Sequence, residues 1–228
     1  MDAIRILEKV GQKPVFRVQD IERLARCDAE YAKQILLRLR KRGLIKQVMR
    51  NAYTIKDDIF VVSSNITAPC YISFWSASYF LGYTEQIVNT IQVATTRRMK
   101  RLEFGGYKVK FIPMKHFFGY RKMRTDEGDI FIAEDEKLMI DAFLRPAECG
   151  NFDEIQKIFE SAKFSEGRLA DYLKKIGSQA VIKRVGFLLE SNRGVDLSDS
   201  FDLDRNYVRL NPFSKMWKKR NGKWRVMV

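Results

Sequence analysis

The chain has 228 residues, of which 46% are hydrophobic; this content excludes a mainly disordered protein and predicts one large or two smaller domains with a packed core. No apolar stretch is long enough to cross a membrane, and the first residues, MDAIRILEKV, lack the apolar region of a signal peptide, so we expect a cytoplasmic protein. The net charge of +14 predicts an anionic partner, which the charge alone leaves open between nucleic acid, an acidic protein and a membrane surface.

The cysteine and histidine content argues against a metal or disulfide framework. Cys27, Cys70 and Cys149 lie far apart, no C-x-x-C motif occurs, and His116 is the one histidine of the chain. Neither a structural zinc site nor a set of disulfides fits this spacing. We expect buried free thiols and no metal.

Three short helices are predicted before Gly43. The segments MDAIRILEKV and VQDIERLARC each carry apolar residues at helical spacing. A third helix is expected to begin after Asp28, which can cap it, and to run to Arg42. The following segment, LIKQVMRNAYTI, alternates like two short strands that turn at Arg50-Asn51. Three helices followed by a hairpin predict a winged helix-turn-helix domain over residues 1–60.

The third helix is predicted to have two different faces. Ala32, Ile35, Leu36 and Leu39 share one side and are expected in the core. The polar side is rich in long cationic residues and is predicted to enter a DNA major groove, with Gln34 suited to a base edge and the cations to bases or phosphates. The hairpin would add contacts to the backbone or minor groove. The predicted DNA-binding residues are Tyr31, Lys33, Gln34, Arg38, Lys41, Arg42, Lys46, Arg50 and Asn51. A solvated surface or a protein-binding module would show a similar pattern.

Residues 65–228 are predicted to form a second domain, of mixed α/β type with a helical second half. VVSSNITA is expected to be a connection that Pro69 closes, and YISFWSASYFLGY a buried helix. TIQVATT, YKVKFIPM and DIFIA are typical of strands, and DEKLMIDAFL of an amphipathic helix that begins at Asp135. Further helices are expected near 152–163, 165–176 and 178–191, and two short strands in the tail. The predicted fold class is therefore α+β.

Four segments in order carry a resemblance to a known family: YISFWSASYFLGYTEQIVNTIQVATTRR, FFGY, DIFIAEDEKLMIDAFLRPAECG and VIKRVGFLLE. The chain resembles the AbiEi-type antitoxins, transcriptional regulators of abortive-infection toxin–antitoxin pairs, from the N-terminal domain to about residue 191. The resemblance implies a winged helix that binds operator DNA upstream of its own operon. It also implies a C-terminal domain that opposes a nucleotidyltransferase toxin. Two positions depart from the family pattern: Arg17 or Val18 stands where a Ser or Thr often caps the second helix, and Leu138 stands where many members have Thr.

Further basic clusters lie outside the first domain. They comprise Arg97, Arg98, Lys100 and Arg101; Arg121, Lys122 and Arg124; and the tail, with Lys218, Lys219 and Arg220 near Trp217 and Trp224. Basic residues between aromatic ones suit nucleic-acid backbones and bases. The charges fit auxiliary contact with DNA or the toxin as well as plain surface, whereas we expect the tryptophans to close the core.

The sequence gives less support to the hypothesis that the protein is an enzyme. Asp129, Asp135 and Lys137 match the acid-x-Lys pattern of metal-dependent nucleases, but acids at the start of a helix are expected for electrostatic reasons alone. His116 has no nucleophile motif nearby, and Gly105-Gly106 is a turn because no G-x-x-x-x-G-K-[ST] motif exists. The hypothesis is a non-enzymatic autorepressor and antitoxin, without cofactor or membrane partner, that binds paired half-sites as a homodimer on DNA. A nuclease and a purely toxin-binding module are the alternatives.

Overall fold

The computed structural model describes residues 3–228 and has a mixed α+β architecture, as the sequence predicts. The Cα positions divide it into two compact units. The first contains the residues up to Ile72 together with Asn89–Met114 and Lys122–Phe131; the second contains Ser73–Val88, Lys115–Arg121 and Ile132–Val228. Among the described residues, no helix is both long and apolar enough to cross a bilayer. The predicted division at residues 60–65 stays a prediction.

The N-terminal part of the first unit consists of three helices and a small sheet. Its elements are α1 (Ala3–Val10), β1 (Phe16–Arg17), α2 (Val18–Ala25), α3 (Ala29–Lys41), β2 (Lys46–Met49) and β3 (Ala52–Thr54). Both strand pairs are antiparallel, in the order β1-β3-β2. All three helices contribute to one apolar core, in which Ile6, Ile21 and Leu36 are almost fully buried. Of the predicted core residues of α3, Ala32, Leu36 and Leu39 are buried and Ile35 is half-buried.

Local interactions set where these helices begin and end. The Asp28 carboxylate accepts a hydrogen bond from the backbone N–H of Tyr31 at 2.8 Å, as expected for the cap of α3. Arg17 stands at the cap of α2 without capping it by its side chain, but Asp20 accepts from the Arg17 N–H at 2.8 Å. Gly43, with φ of 70°, follows α3, and Asn51, with φ of 61°, turns the hairpin.

A sheet of six strands lies mainly in the first unit. After a short helix, α4 (Ile59–Ser63), come β4 (Cys70–Ile72), β5 (Thr90–Thr95), β6 (Leu102–Phe104), β7 (Tyr107–Pro113), β8 (Tyr120–Arg124) and β9 (Asp129–Ala133). Of these strands, β8 and β9 each have two residues in the second unit. The strand order is β6-β7-β5-β4-β9-β8, with β5 and β7 parallel from Thr90↔Lys108 to Thr95↔Pro113. The prediction of a plain connection from residue 61 is wrong, because Asp58 caps α4 and its apolar residues are buried.

Two predictions for the second unit are wrong in part. YISFWSASYFLGY does not form one helix: its first residues are β4, and α5 is Phe74–Phe80. The helix α6 (Asp135–Leu144) is not amphipathic, because residues 135–143 are all buried. It packs against α5, α7 (Phe152–Ser161), α8 (Glu166–Ile176) and α9 (Gln179–Arg193), so it has no face toward solvent. The helix does begin at Asp135, as predicted, with Glu134 at its cap position and Asp135 and Glu136 in its first turn.

The charged residues of α6 are compensated inside the second unit. Glu136 accepts from the Ser165 N–H at 2.7 Å and from Arg168 Nε at 3.1 Å. Lys137 forms an ion pair with Asp141, and both side chains have no exposed surface. Such pairing is required because an isolated charge in a protein interior costs several kcal/mol.

The C-terminal tail folds back onto α9. Short 3₁₀ turns lie at Pro146–Glu148 and Ser198–Ser200, and the tail forms β10 (Val208–Arg209), β11 (Arg220–Asn221) and β12 (Val226–Met227), in the order β10-β12-β11. Trp224 is fully buried, as predicted, and its indole N–H donates to Glu190 of α9. Trp217 is 43% exposed, so the expectation that it closes the core is wrong.

The thiols are free, as predicted. Cys70 and Cys149 are buried, whereas Cys27 is half-buried. Burial raises the pKa of the Cys70 thiol to about 11, so this side chain is neutral at physiological pH.

Candidate nucleic-acid interface

The helix α3 has an outer face opposite the core residue Leu36. Helical spacing places Glu30, Gln34, Leu37 and Lys41 on this face. All four are exposed, and Leu37 retains 44% of its surface. A leucine in this position was not among the predicted contacts. It is an apolar group of the kind that packs against a thymine methyl.

The predicted DNA-binding residues are all exposed. On α3 they are Tyr31, Lys33, Gln34, Arg38, Lys41 and Arg42, and on the hairpin Lys46, Arg50 and Asn51. They do not share one stripe. Lys41 and Gln34 lie on the outer face, whereas Tyr31, Arg38 and Arg42 follow each other at helical spacing along one flank.

That flank borders a shallow groove within the first unit. The groove has a volume of about 170 Å³ and is lined by Ile6, Ala25, Tyr31, Ile35, Arg38, Leu39 and Arg42. The two arginines of the groove are therefore held beside α1 and α2. They lie beside the outer face of α3 and not on it.

The opposite flank of α3 is tied to the hairpin. Arg40, which was missing from the prediction, donates a hydrogen bond to the Gln47 side chain of β2. Helical periodicity could have identified Arg40. It lies one helical turn from the buried Leu36 and is therefore close to the side of α3 that packs on its own domain. This bond connects α3 to the hairpin.

Few acids neutralise this surface. Lys33 pairs with Glu30 at 2.6 Å and Lys46 pairs with Asp57, both on exposed side chains. Within residues 3–228, Arg38, Lys41, Arg42 and Arg50 form no ion pair. Exposed pairs contribute about 1 kcal/mol or less, so these two pairs hold Lys33 and Lys46 only weakly.

The auxiliary clusters lie in several places. Arg97, Arg98, Lys100 and Arg101 are exposed on the loop between β5 and β6, where Arg97 donates to the Thr67 hydroxyl at 2.9 Å. Lys218, Lys219 and Arg220 are exposed in the tail. Lys122 and Arg124 instead contact Asp129, at 2.6 and 2.8 Å, and hold the pKa of this carboxyl below its ordinary value.

The three residues of the nuclease alternative have separate partners. Asp129 lies in the first unit with Lys122 and Arg124, as described above. Asp135 accepts a hydrogen bond from Tyr83, and burial together with this contact raises the pKa of the tyrosine. Lys137 is buried against Asp141. Within residues 3–228, no cluster of three or more His, Cys, Asp or Glu residues is arranged to hold a metal ion. His116 is half-buried.

Comparison with known proteins identifies a fold relative. No family model and no curated protein sequence matches this chain. Among solved structures, the crystal structure of the RV2827C protein from Mycobacterium tuberculosis is similar, with a TM-score of 0.63 and 16% sequence identity. The alignment covers 98% of this chain and 90% of that one. The two proteins therefore share a fold over nearly their whole length.

Proposed function

We propose that the N-terminal part of the first unit is a winged helix-turn-helix and that its α3 binds the major groove of double-stranded operator DNA. We further propose that the protein represses its own operon and acts as the antitoxin of a toxin–antitoxin pair. Two copies would meet paired half-sites on the DNA.

The observation that carries the DNA-binding part is the cationic, acid-poor surface around α3. Arg38, Lys41, Arg42 and Arg50 are exposed and have no ion-pair partner within the described residues, so their charges repel each other in the free protein. A phosphate backbone would relieve this repulsion and release counterions. Surfaces that serve only as solvated faces usually intersperse acids with their cations.

The contacts divide by position. Gln34, Leu37 and Lys41 on the outer face of α3 are assigned to base edges, because they are farthest from the core. Arg38 and Arg42 on the flank are assigned to phosphates on one side of the groove, together with Tyr31. Lys46, Arg50 and Asn51 of the hairpin are assigned to the backbone or minor groove beside it.

The antitoxin part of the proposal rests on the resemblance of the sequence to AbiEi-type proteins. A nucleotidyltransferase encoded beside the gene would be the cognate toxin. This part is tested separately from DNA binding by expressing the neighbouring gene alone and together with this protein. Toxicity of the neighbour alone and its relief on co-expression would support the antitoxin role. A protein that relieves toxicity without binding DNA would match the toxin-binding alternative.

The test of DNA binding is a salt series on a labelled fragment from upstream of the gene, compared with scrambled DNA of equal length. We expect tight binding at physiological salt only to the upstream fragment. Arg38→Ala should weaken binding to both DNAs and reduce the salt slope by about 0.9, the value of one phosphate contact. Gln34→Ala should reduce the preference for the upstream fragment while leaving the salt slope unchanged.

Lys174→Ala is the matched control, because Lys174 is an exposed cation in the last turn of α8, as Arg38 is in the last turn of α3. It removes the same charge and the same interaction with a helix C-terminus. Equal losses from Arg38→Ala and Lys174→Ala would show that only the net charge matters and would refute the groove assignment. Cleavage of the fragment on addition of Mg²⁺ would favour the nuclease alternative.

A further inference from the structure

The C-terminal tail of the second unit forms an open groove with a volume of about 720 Å³. Six of its lining residues are apolar, namely Phe152, Leu210, Met216, Trp217, Met227 and Val228. Met216 is 86% exposed, the highest value among the large hydrophobic residues of the described chain. Exposed apolar surface gathered in one concave place is typical of an interaction site, whereas single exposed apolar residues need no explanation.

The charged side chains around this groove have one sign. Arg209, Lys215, Lys218 and Lys219 line it, and no Asp or Glu side chain does. Within the described residues, none of these four forms an ion pair. The groove therefore combines an apolar interior with an uncompensated cationic rim, and this combination complements a ligand with acidic groups around an apolar anchor.

The groove is held in shape by packing beneath it. Trp224 is buried against Gly186 of α9, and Lys223 contacts Glu190 at 2.6 Å and Asp196 at 2.5 Å. The Leu210 N–H donates to the Met227 carbonyl at 2.9 Å. These contacts already order the tail. A ligand therefore does not have to offset the loss of conformational entropy that ordering the tail would cost.

We propose that this groove binds an acidic segment of a partner protein that inserts a large apolar side chain between Met216 and Trp217. A protein segment fits the lining better than single-stranded nucleic acid does. The thioethers of Met216 and Met227 adapt to aliphatic and aromatic side chains of differing shape. The Arg220 guanidinium lies over the indole of Trp217, 5.1 Å from the ring centre, so a base would have to compete with it for that ring face.

This inference concerns the second unit and stands apart from DNA binding by α3. A partner bound at the groove would be recognised by charge at its rim and by an apolar anchor in its interior. The four rim cations would raise the association rate, whereas the anchor would set the dissociation rate.

The test is selection of a phage-displayed random peptide library on the intact chain, followed by fluorescence anisotropy with the strongest selected peptide. We expect enrichment of peptides that carry several acids and at least one large apolar residue. The double variant Met216→Ser/Trp217→Ala should weaken binding of the labelled peptide about tenfold or more. Lys218→Glu/Lys219→Glu should also weaken peptide binding, and the loss of affinity should be larger at low salt than at high salt.

Ile87→Ser is the matched control, since Ile87 is 74% exposed in the second unit but does not line the groove. Its affinity for the peptide should equal that of the parent chain. Selection of peptides without acids, no enrichment, or equal binding by the groove variant would overturn the proposal. Displacement of the peptide by a dT oligonucleotide that itself binds more tightly would reassign the groove to nucleic acid. If the intact chain binds the peptide but does not bind the upstream DNA, the DNA-binding proposal is refuted and the groove proposal stands.

Discussion

The ion pair at the centre of the second unit allows a quantitative test of how that unit is stabilised. Asp141 accepts a hydrogen bond from the Ser73 hydroxyl at 2.8 Å and pairs with Lys137, and neither charged side chain has exposed surface. Asp141→Asn keeps the size of the side chain and an acceptor for Ser73 but removes the anion. The ammonium of Lys137 is then buried without its counter-charge.

The expected cost follows from that geometry. Breaking a fully buried pair by removing one partner costs about 3–5 kcal/mol, compared with a total stability of about 5–15 kcal/mol for a folded domain. For a chain of this size, 1 kcal/mol shifts the melting temperature by about 2–4 °C, so we expect a decrease of about 10 °C. Replacing both members, as in Lys137→Met/Asp141→Asn, removes both charges and their desolvation cost while keeping the acceptor for Ser73, and should recover most of the lost stability.

Tryptophan fluorescence is a suitable assay because all three tryptophans, Trp75, Trp217 and Trp224, belong to the second unit. Urea and thermal transitions followed in this way report the unit that contains the substitution. Asp171→Asn is the control, since Asp171 is exposed on α8 and its loss should change stability by less than about 0.5 kcal/mol. A single variant as stable as this control, or a double variant as unstable as the single one, would refute the reasoning.

Two further predictions concern how the tail is attached. A Cβ added by Gly186→Ala would lie 2.1 Å from the Trp224 ring, so the buried indole must shift; we expect red-shifted emission and a loss of about 1–3 kcal/mol. Gly167→Ala, which meets nothing within 4 Å, is the control, and an unchanged emission spectrum in Gly186→Ala would contradict the packing. Hydrogen bonds from Lys223 and Ser198 lower the pKa of Asp196 from 3.8 to about 2. Because the folded pKa is depressed, the stability contributed by Asp196 is fully present above about pH 4 and is lost as the pH falls through about 2. The urea midpoints of Asp196→Asn and the parent chain should therefore differ at neutral pH and converge near pH 2, and a constant difference would show that the titration of Asp196 is not the cause.

Local signals in the sequence were sufficient to predict features that depend on the residues of a single helix or strand. The periodicity of α3 identified its buried side, and Asp28 marked its first turn, because helical spacing and capping depend on residues within a few positions of each other. The alternating segments around β5, β7 and β9 predicted strands in the same way. The six predicted contacts on α3 are exposed because they lie away from its buried stripe, and Lys46, Arg50 and Asn51 are exposed on the hairpin.

The tertiary structure decided what depends on residues distant in the chain. Four acidic and basic residues in α6 indicated an exposed face, yet α6 is buried on all sides because Arg168, Tyr83 and Ser73, supplied by other elements, satisfy its charges. The cationic groove of the tail arises in the same manner. The sequence marked the basic and aromatic residues of the tail, but the residues that complete the groove, Phe152, Arg209 and Met227, come from separate segments that meet in the folded tail. Composition and spacing thus determine which side of each helix or strand carries polar residues. Packing between elements determines which of those charges remain exposed and available to a partner.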